Sequence, residues 1–213
     1  MPMLITALQA SLLFLHPATQ PDSCATDRLV DVPRQAPSRL VVPPPGEPGT
    51  PLRVTGRVLL ADGTPVSGVL IYVYQTNANG IYPKRPGLCG AARIQGYLRG
   101  YVQSDAQGRY EILTIRPGIY RERDTPAHVH MTVSLTRPVD ASRMTYIDDL
   151  MFEDDPILDA RWRARLDGRG GSGIARVSPG RSANGDTLQV TRDIRWDLVP
   201  GAVLPNTRSP TQR

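Results

Sequence analysis

The apolar positions of this chain fall in short runs separated by turn residues, which is a pattern typical of β-strands. The runs are rich in Val, Ile and Tyr, and Gly, Pro, Asn or Asp bounds each of them. Asp62-Gly63 is a hairpin signal between the first two runs. Many short strands with few helices between them predict an all-β fold, an antiparallel β-sandwich with long loops. The predicted strands are residues 52–60, 66–75, 98–103, 110–115 and 127–135, with a last one within 187–199.

One short helix is predicted over residues 156–166. Asp155 is a suitable N-cap there, and Pro156 suits the first helical position because its missing N–H is not needed. Residues 167–186 are rich in Gly and Ser and predict a loop.

The ends of the chain differ from its middle. Residues 3–15 are apolar and too short to span a bilayer, so residues 1–23 are predicted to be a signal peptide for periplasmic or secretory export. No Lys or Arg precedes this run, and a buried N-terminal helix in a cytoplasmic protein is the alternative. We expect a Pro-rich extension without its own core over 24–51, the sandwich domain over 52–200 and a flexible tail over 201–213.

Composition narrows the class of partner. The 213-residue chain carries a net charge of +5, but its basic residues are mostly single, scattered Arg, which argues against nucleic-acid binding. A cationic surface favours a small anionic substrate instead. Nothing in the sequence predicts a membrane span, and a homo-oligomer is allowed. Cys24 and Cys89 are too few for a zinc site, and the sequence leaves open whether they form a disulfide.

The strongest chemical signal is the pair His128 and His130 on a predicted strand. Residues two apart on a strand share one face, so both imidazoles point the same way. Val129, Met131 and Val133 then point to the opposite face, which we expect to enter the core. Two parallel imidazoles form half of a metal site, although a chance exposed pair has the same pattern.

Two tyrosines stand where they could complete such a site. Tyr82 follows the turn at residues 77–80, and Tyr120 follows the loop that begins at Arg116. Side chains at such loop entries often carry function. A half-buried ring whose hydroxyl bonds water or a carbonyl is the structural alternative for either residue.

Taken together these blocks resemble the intradiol ring-cleavage dioxygenases, in a compact single-domain form. The resemblance covers about residues 52–199, and order, spacing and residue types agree across several segments. Those segments are residues 56–82, 104–120, 126–130, 152–156 and 193–199.

The resemblance implies a non-haem iron(III) centre with Tyr82 and Tyr120 as phenolate ligands and His128 and His130 as imidazole ligands. The implied substrates are a catechol-type aromatic diol and O2. The implied reaction opens the ring between the two hydroxyl-bearing carbons, puts both oxygen atoms into a muconate-type product and belongs to aromatic catabolism. In this family one tyrosinate leaves the metal when substrate binds, and the resemblance assigns that role to Tyr120.

The match departs from the family at two positions. Thr125 stands where the family usually has an Arg beside the substrate, so Arg121 or Arg123 is expected to supply that charge from the preceding loop. Tyr74 stands where many members have Trp, which we interpret as a change in packing.

Two other functions fit parts of the pattern. Non-catalytic β-sandwich binding modules of the transthyretin or carboxypeptidase-regulatory type share the hairpin and strand starts, but they do not require two Tyr and a His-x-His motif. A zinc or copper protein using the two His alone would need further ligands, and the chain has only 3 His in all.

Overall fold

The computed structural model describes residues 32–33, 35–120, 124–134, 143–182 and 185–203. They form two sheets packed face to face, which confirms the predicted all-β sandwich. The strands are β1 (Arg39–Val41), β2 (Pro51–Leu59), β3 (Leu70–Gln75), β4 (Arg99–Gln103), β5 (Arg109–Ile115), β6 (His128–Ser134), β7 (Met144–Tyr146), β8 (Leu150–Phe152), β9 (Ile174–Ala175), β10 (Ser178–Ser182), β11 (Gly185–Thr191) and β12 (Ile194–Arg195).

The first sheet has the order β1-β5-β2-β11-β10, with β12 also paired to β2, and the second has the order β4-β3-β6-β8-β9, with β7 paired to β6. Most neighbours are antiparallel. The pairs β1–β5, β11–β2, β12–β2 and β8–β9 are parallel. Strand β6 therefore lies in the middle of the second sheet, between β3 and β8.

The alternation of buried and exposed residues along the strands shows which faces of the sheets pack together. In β2 the buried positions alternate with partly or fully exposed ones, so one face of the strand enters the core. Strand β3 is buried at all 6 positions, which means that both of its faces are covered. Ile71 and Val73 face the core, whereas Tyr72 and Tyr74 face outward and are nevertheless only 8% exposed. The outer face of the second sheet is therefore a covered surface where a site can be enclosed.

The predicted helix is shorter than expected and begins later. Helix α2 runs over Ala160–Arg163, and its N-cap is Asp159, whose carboxylate accepts from the backbone N–H of Trp162 at 2.9 Å. Asp155 was the wrong N-cap, because its two carboxylate oxygens accept instead from Ala127 and Ile157. A second short helix that the pattern did not predict, α1, runs over Ala92–Gln95.

The loop predicted over 167–186 was wrong in part, because it contains β9 and β10. Strand β10 is largely exposed along its length, so it lacks the apolar alternation by which a strand is recognised. It is a strand because its backbone pairs antiparallel with that of the following strand, β11.

Part of the Pro-rich segment joins the first sheet. Strand β1 lies parallel to β5, and Val42 beside it is 9% exposed and belongs to the core. The carbonyl of Ser38 accepts from Glu111, and that of Pro37 from Gln103. The predicted signal peptide lies outside the described residues. Within the described ranges, no helix is long and apolar enough to cross a membrane.

Candidate metal centre

Strand β6 presents His128 and His130 on one face, as predicted from their spacing. On the other face Val129, Met131 and Val133 are 3%, 1% and 0% exposed and lie in the core. Apolar burial on one side thus fixes the direction of both imidazoles on the other.

The two imidazoles converge. Their Nε2 atoms lie 3.0 Å apart, and the rings meet edge to face with centroids 4.3 Å apart. The Nδ1 atom of His128 lies 2.7 Å from the carbonyl oxygen of Pro126. The Nδ1 atom of His130 lies 3.1 Å from a carboxylate oxygen of Asp149. Since acceptors occupy both Nδ1 atoms, the Nε2 atoms remain available to bind a proton or a metal ion.

Burial sets the charge state of His128, which is 5% exposed. Desolvation lowers the pKa of its imidazole below the ordinary value of 6.5, and the neighbouring His130 lowers that pKa further. The hydrogen bond to the Pro126 carbonyl opposes this shift but does not reverse it. His128 is therefore neutral at pH 7, which is the form that binds metals.

The two tyrosine-bearing loops are brought together by glycines. A Cβ on Gly80 would lie 2.0 Å from the carbonyl oxygen of Ile119, and one on Gly118 would lie 2.4 Å from that of Ala78. Gly80 also has φ +76°, where a side chain is strained. The backbone N–H of Gly118 donates to Asn77 at 2.8 Å. These close contacts join the turn before Tyr82 to the loop before Tyr120.

The ring of Tyr120 contacts a histidine, and the ring of Tyr82 contacts Tyr120. The ring of Tyr120 stacks on His128 with centroids 5.2 Å apart, and Tyr82 meets Tyr120 edge to face at 5.6 Å. Burial raises the pKa of the Tyr82 phenol above its ordinary value of 10.0, and a hydrogen bond with Tyr120 raises it further. The structure thus brings Tyr82, Tyr120, His128 and His130 into one cluster from three separate segments of the chain.

A buried amide supports the base of these loops. Gln75, at the end of β3, donates through Nε2 to the carbonyl of Ile115 at 2.8 Å and accepts from the hydroxyl of Thr114 at 2.9 Å. Next to it, the Thr76 hydroxyl donates to the Gly118 carbonyl at 3.1 Å. Because β3 and β5 belong to different sheets, Gln75 couples the two sheets where the tyrosine loops leave them.

Thr125 fixes the backbone of Tyr120. Its carbonyl accepts from the Tyr120 N–H at 3.0 Å, and the two residues form an isolated antiparallel bridge. The predicted catalytic residues Arg121 and Arg123 lie outside the described residues.

Sequence reasoning missed Asp149 and undervalued Tyr74. Asp149 contacts His130 although it lies 19 residues away, and its signal in the sequence was an acidic pair directly before an apolar strand. Tyr74 on β3 is the cross-strand partner of His130 on β6, and their rings stack with centroids 4.3 Å apart. The change from Trp noted for Tyr74 therefore falls in the wall of the site.

The donor set fits a hard, positively charged metal ion. Two imidazole nitrogens 3.0 Å apart repel each other through their lone pairs unless a proton or a cation lies between them. Phenol oxygens become hard anionic donors when deprotonated, and these favour ferric iron over softer ions. The cluster defines the protein as a β-sandwich with a Tyr/His candidate metal centre.

Comparison with known proteins gives the family. A family model described as Dioxygenase matches residues 34–166. The beta chain of protocatechuate 3,4-dioxygenase from Burkholderia cepacia is 38% identical over 120 residues, which cover 53% of this chain and 49% of that protein. Chlorocatechol 1,2-dioxygenase from Rhodococcus opacus is 32% identical over 133 residues, 54% of this chain and 48% of that protein. The chain belongs to the intradiol ring-cleavage dioxygenase family.

Solved structures show the same fold. The dioxygenase domain of a dioxygenase carbohydrate-binding protein fusion from Streptomyces sp. SirexAA-E superposes with a TM-score of 0.53 at 24% identity, covering 78% of this chain and 93% of that one. The 3-chlorocatechol 1,2-dioxygenase of Rhodococcus opacus 1CP superposes with a TM-score of 0.54 at 19% identity, covering 74% and 64%. The chain spans about half the length of the two curated relatives it matches above.

Proposed function

We propose that this protein is a non-haem iron(III) dioxygenase that opens a catechol-type aromatic diol between its two hydroxyl-bearing carbons. Both atoms of O2 enter the muconate-type product. The observation that carries the proposal is the convergence of the two Nε2 atoms at 3.0 Å beside the stacked ring of Tyr120, with Tyr82 against it. The names of the relatives, which act on protocatechuate and chlorocatechol, agree with this class of substrate.

The proposed ligands are Tyr82, Tyr120, His128 and His130. Bound there, ferric iron would act as a Lewis acid that favours the deprotonated diol and orients it towards O2. The imidazoles are neutral donors oriented through Nδ1, and the phenols supply the negative charge that favours the ferric state.

Tyr120 is the proposed proton acceptor. With ferric iron bound, Tyr120 would serve as the base that accepts one proton of the diol, and a solvent-derived hydroxide would accept the other. The bridge to Thr125 would hold the Tyr120 backbone in place during this proton transfer.

Aromatic side chains form the wall around these donors. Tyr74 stacks on His130 and is 8% exposed, and its hydroxyl hydrogen-bonds Tyr146. Such a wall excludes water from one side of the site and offers ring faces to an aromatic substrate.

The test combines absorption with oxygen uptake. Tyrosinate bound to ferric iron absorbs broadly in the visible range, so the iron-loaded protein should be coloured and should consume O2 when catechol is added. Tyr120→Phe should lose much of the band and most of the oxygen uptake. Tyr97→Phe is the matched control, because the Tyr97 hydroxyl bonds Glu47 at 2.7 Å in another part of the chain. A colourless wild-type protein after iron loading would refute the proposal and favour a binding module.

We also infer that the protein is exported. The apolar run at residues 3–15 supports this, and so does Cys89, which is disulfide-bonded, since disulfides persist in oxidising compartments. N-terminal sequencing of the protein from its native host tests the inference, and a chain that still starts at Met1 would contradict it.

A further inference from the structure

We propose that Asp149 is a positioning residue of the metal centre, which holds the imidazole of His130 through Nδ1 so that Nε2 faces the other donors. This inference rests on the proposed iron site. It adds a residue outside the four proposed ligands, and one that acts on the metal only through His130.

The contact between the two side chains is close and symmetric. Both carboxylate oxygens of Asp149 lie 3.1 Å from Nδ1 of His130. On the other side of the same ring, Nε2 lies 3.0 Å from Nε2 of His128. A carboxylate that accepts the Nδ1 proton places the free lone pair on Nε2. Asp149 therefore selects the tautomer that can bind a metal between the imidazoles.

The two histidines are held differently. His128 is oriented by the carbonyl of Pro126, two residues away on its own segment. His130 depends on a side chain from the segment between β7 and β8 and on the stacked ring of Tyr74. Stacking restricts the tilt of the His130 ring, whereas the carboxylate sets its rotation. A charged acceptor also makes the imidazole a better electron donor than a carbonyl does.

Hydrogen bonds and close packing hold the backbone beside Asp149, so its carboxylate is already in place without a metal. The neighbouring Asp148 donates its N–H to Arg169 at 2.9 Å, and its carbonyl accepts from the buried Arg192 at 3.2 Å. A Cβ on Gly173 would lie 2.4 Å from the carbonyl oxygen of Asp149, which shows how closely the residue before β9 packs against it.

Direct ligation is the competing role for the same side chain. A ligand atom from each of His128, His130 and Asp149 can be chosen within 4.8 Å of the others. However, the carboxylate lies on the Nδ1 side of His130, whereas the imidazoles meet through Nε2. Positioning is the role that this geometry favours.

The test uses Asp149→Ala and Asp149→Asn in the full chain, with Asp154→Asn as the matched control. Asp154 is an acidic residue nearby in sequence that pairs with Arg116 instead of a histidine. Affinity for ferric iron is measured by competition with a chelator. We expect Asp149→Ala to weaken binding about 10–100-fold, the usual effect of losing an outer partner of a ligand. Asp149→Asn should weaken iron binding less, because the amide oxygen of Asn can still accept a hydrogen bond from Nδ1. The control variant should bind iron as tightly as the wild type.

A second readout needs no metal. In the iron-free wild type, nitrogen NMR should show the His130 proton on Nδ1, and Asp149→Ala should mix the two tautomers while the thermal midpoint stays near that of the control. Unchanged iron affinity in Asp149→Ala would overturn the inference. Equal losses in the Asn and Ala variants would also overturn it, since they indicate a direct ligand. If the wild type itself binds no iron, the proposed function fails first.

Discussion

The Nε2 atoms of His128 and His130 lie 3.0 Å apart, whereas their Nδ1 atoms are bound by a backbone carbonyl and a carboxylate. The two acceptors thus orient the imidazole rings, and the rings direct their Nε2 atoms to one point. This arrangement separates residues that would touch a metal from residues that only orient its ligands, and variants can test that separation.

Replacing either histidine with alanine should therefore weaken iron binding more than replacing Asp149 with alanine does. We expect His128→Ala and His130→Ala each to weaken ferric iron binding by more than about 100-fold, because loss of a direct ligand exceeds the effect of an outer partner. Chelator competition measures both. A loss equal to that of Asp149→Ala would show that the histidine in question is not a ligand.

Gly80→Ala should destabilise the protein and disturb the site. The added Cβ would lie 2.0 Å from the Ile119 carbonyl, and the positive φ adds about 1–2 kcal/mol of strain. Gly63→Ala is the matched control, since Gly63 has φ +84° but no atom within 4 Å of an added Cβ. Urea unfolding should show a larger loss for Gly80→Ala by about 2 kcal/mol, the scale of overpacking, and only this variant should alter the iron absorption band. Equal losses of stability in the two variants would mean that the loops before Tyr82 and Tyr120 are not in tight contact.

Gln75 and Thr114 should be energetically coupled across the two sheets. Both are buried, and Gln75→Leu alone leaves the Thr114 hydroxyl and the Ile115 carbonyl without their partner, at a cost of about 1–3 kcal/mol. A double-mutant cycle with Thr114→Val, measured by urea unfolding, should give a coupling of about 0.5–1.5 kcal/mol. Additive losses would show that this hydrogen bond contributes nothing.

Arg192 should be important for stability. It is 1% exposed, and its guanidinium donates to the carbonyls of Gly170, Asp193 and Asp148. Arg192→Met removes a buried charge but leaves these carbonyls without donors, so we expect a net loss of about 2–4 kcal/mol in unfolding free energy. Arg39→Met, at a side chain that is 63% exposed, should cost less than about 1 kcal/mol. A small loss at Arg192 would mean that water replaces the lost donors.

The Arg116–Asp154 pair should contribute stability in a pH-dependent way. Two hydrogen bonds of 2.7 and 2.8 Å from Arg116 lower the pKa of the Asp154 carboxyl below its ordinary value of 3.8. The contribution is fully present above that ordinary value, where the unfolded carboxyl is also ionised, and is lost as pH falls through the lowered pKa. Because Asp154 is 50% exposed, solvent screens the pair, and its contribution is at most about 1 kcal/mol. A double-mutant cycle should therefore find coupling at pH 6 that declines as the pH falls below 3.8, and coupling that does not decline at low pH would contradict the assignment.

The sequence by itself indicated the fold class and the central strands, and its resemblance to the family implied the four residues that form the cluster. Period-two alternation places His128 and His130 opposite Val129 and Met131, and this local rule needs no knowledge of the partner strands. Turn residues likewise placed Tyr82 and Tyr120 at loop entries.

Tertiary structure alone decided what surrounds those residues. Asp149 reaches His130 because β8 pairs beside β6, and Tyr74 stacks on His130 because β3 pairs on the other side. Strand β10 and the N-cap at Asp159 also depend on local geometry or pairing that periodicity does not encode. Strand order joins segments far apart in sequence, so the partners that hold the ring of a ligand in place are known only once the sheets have formed.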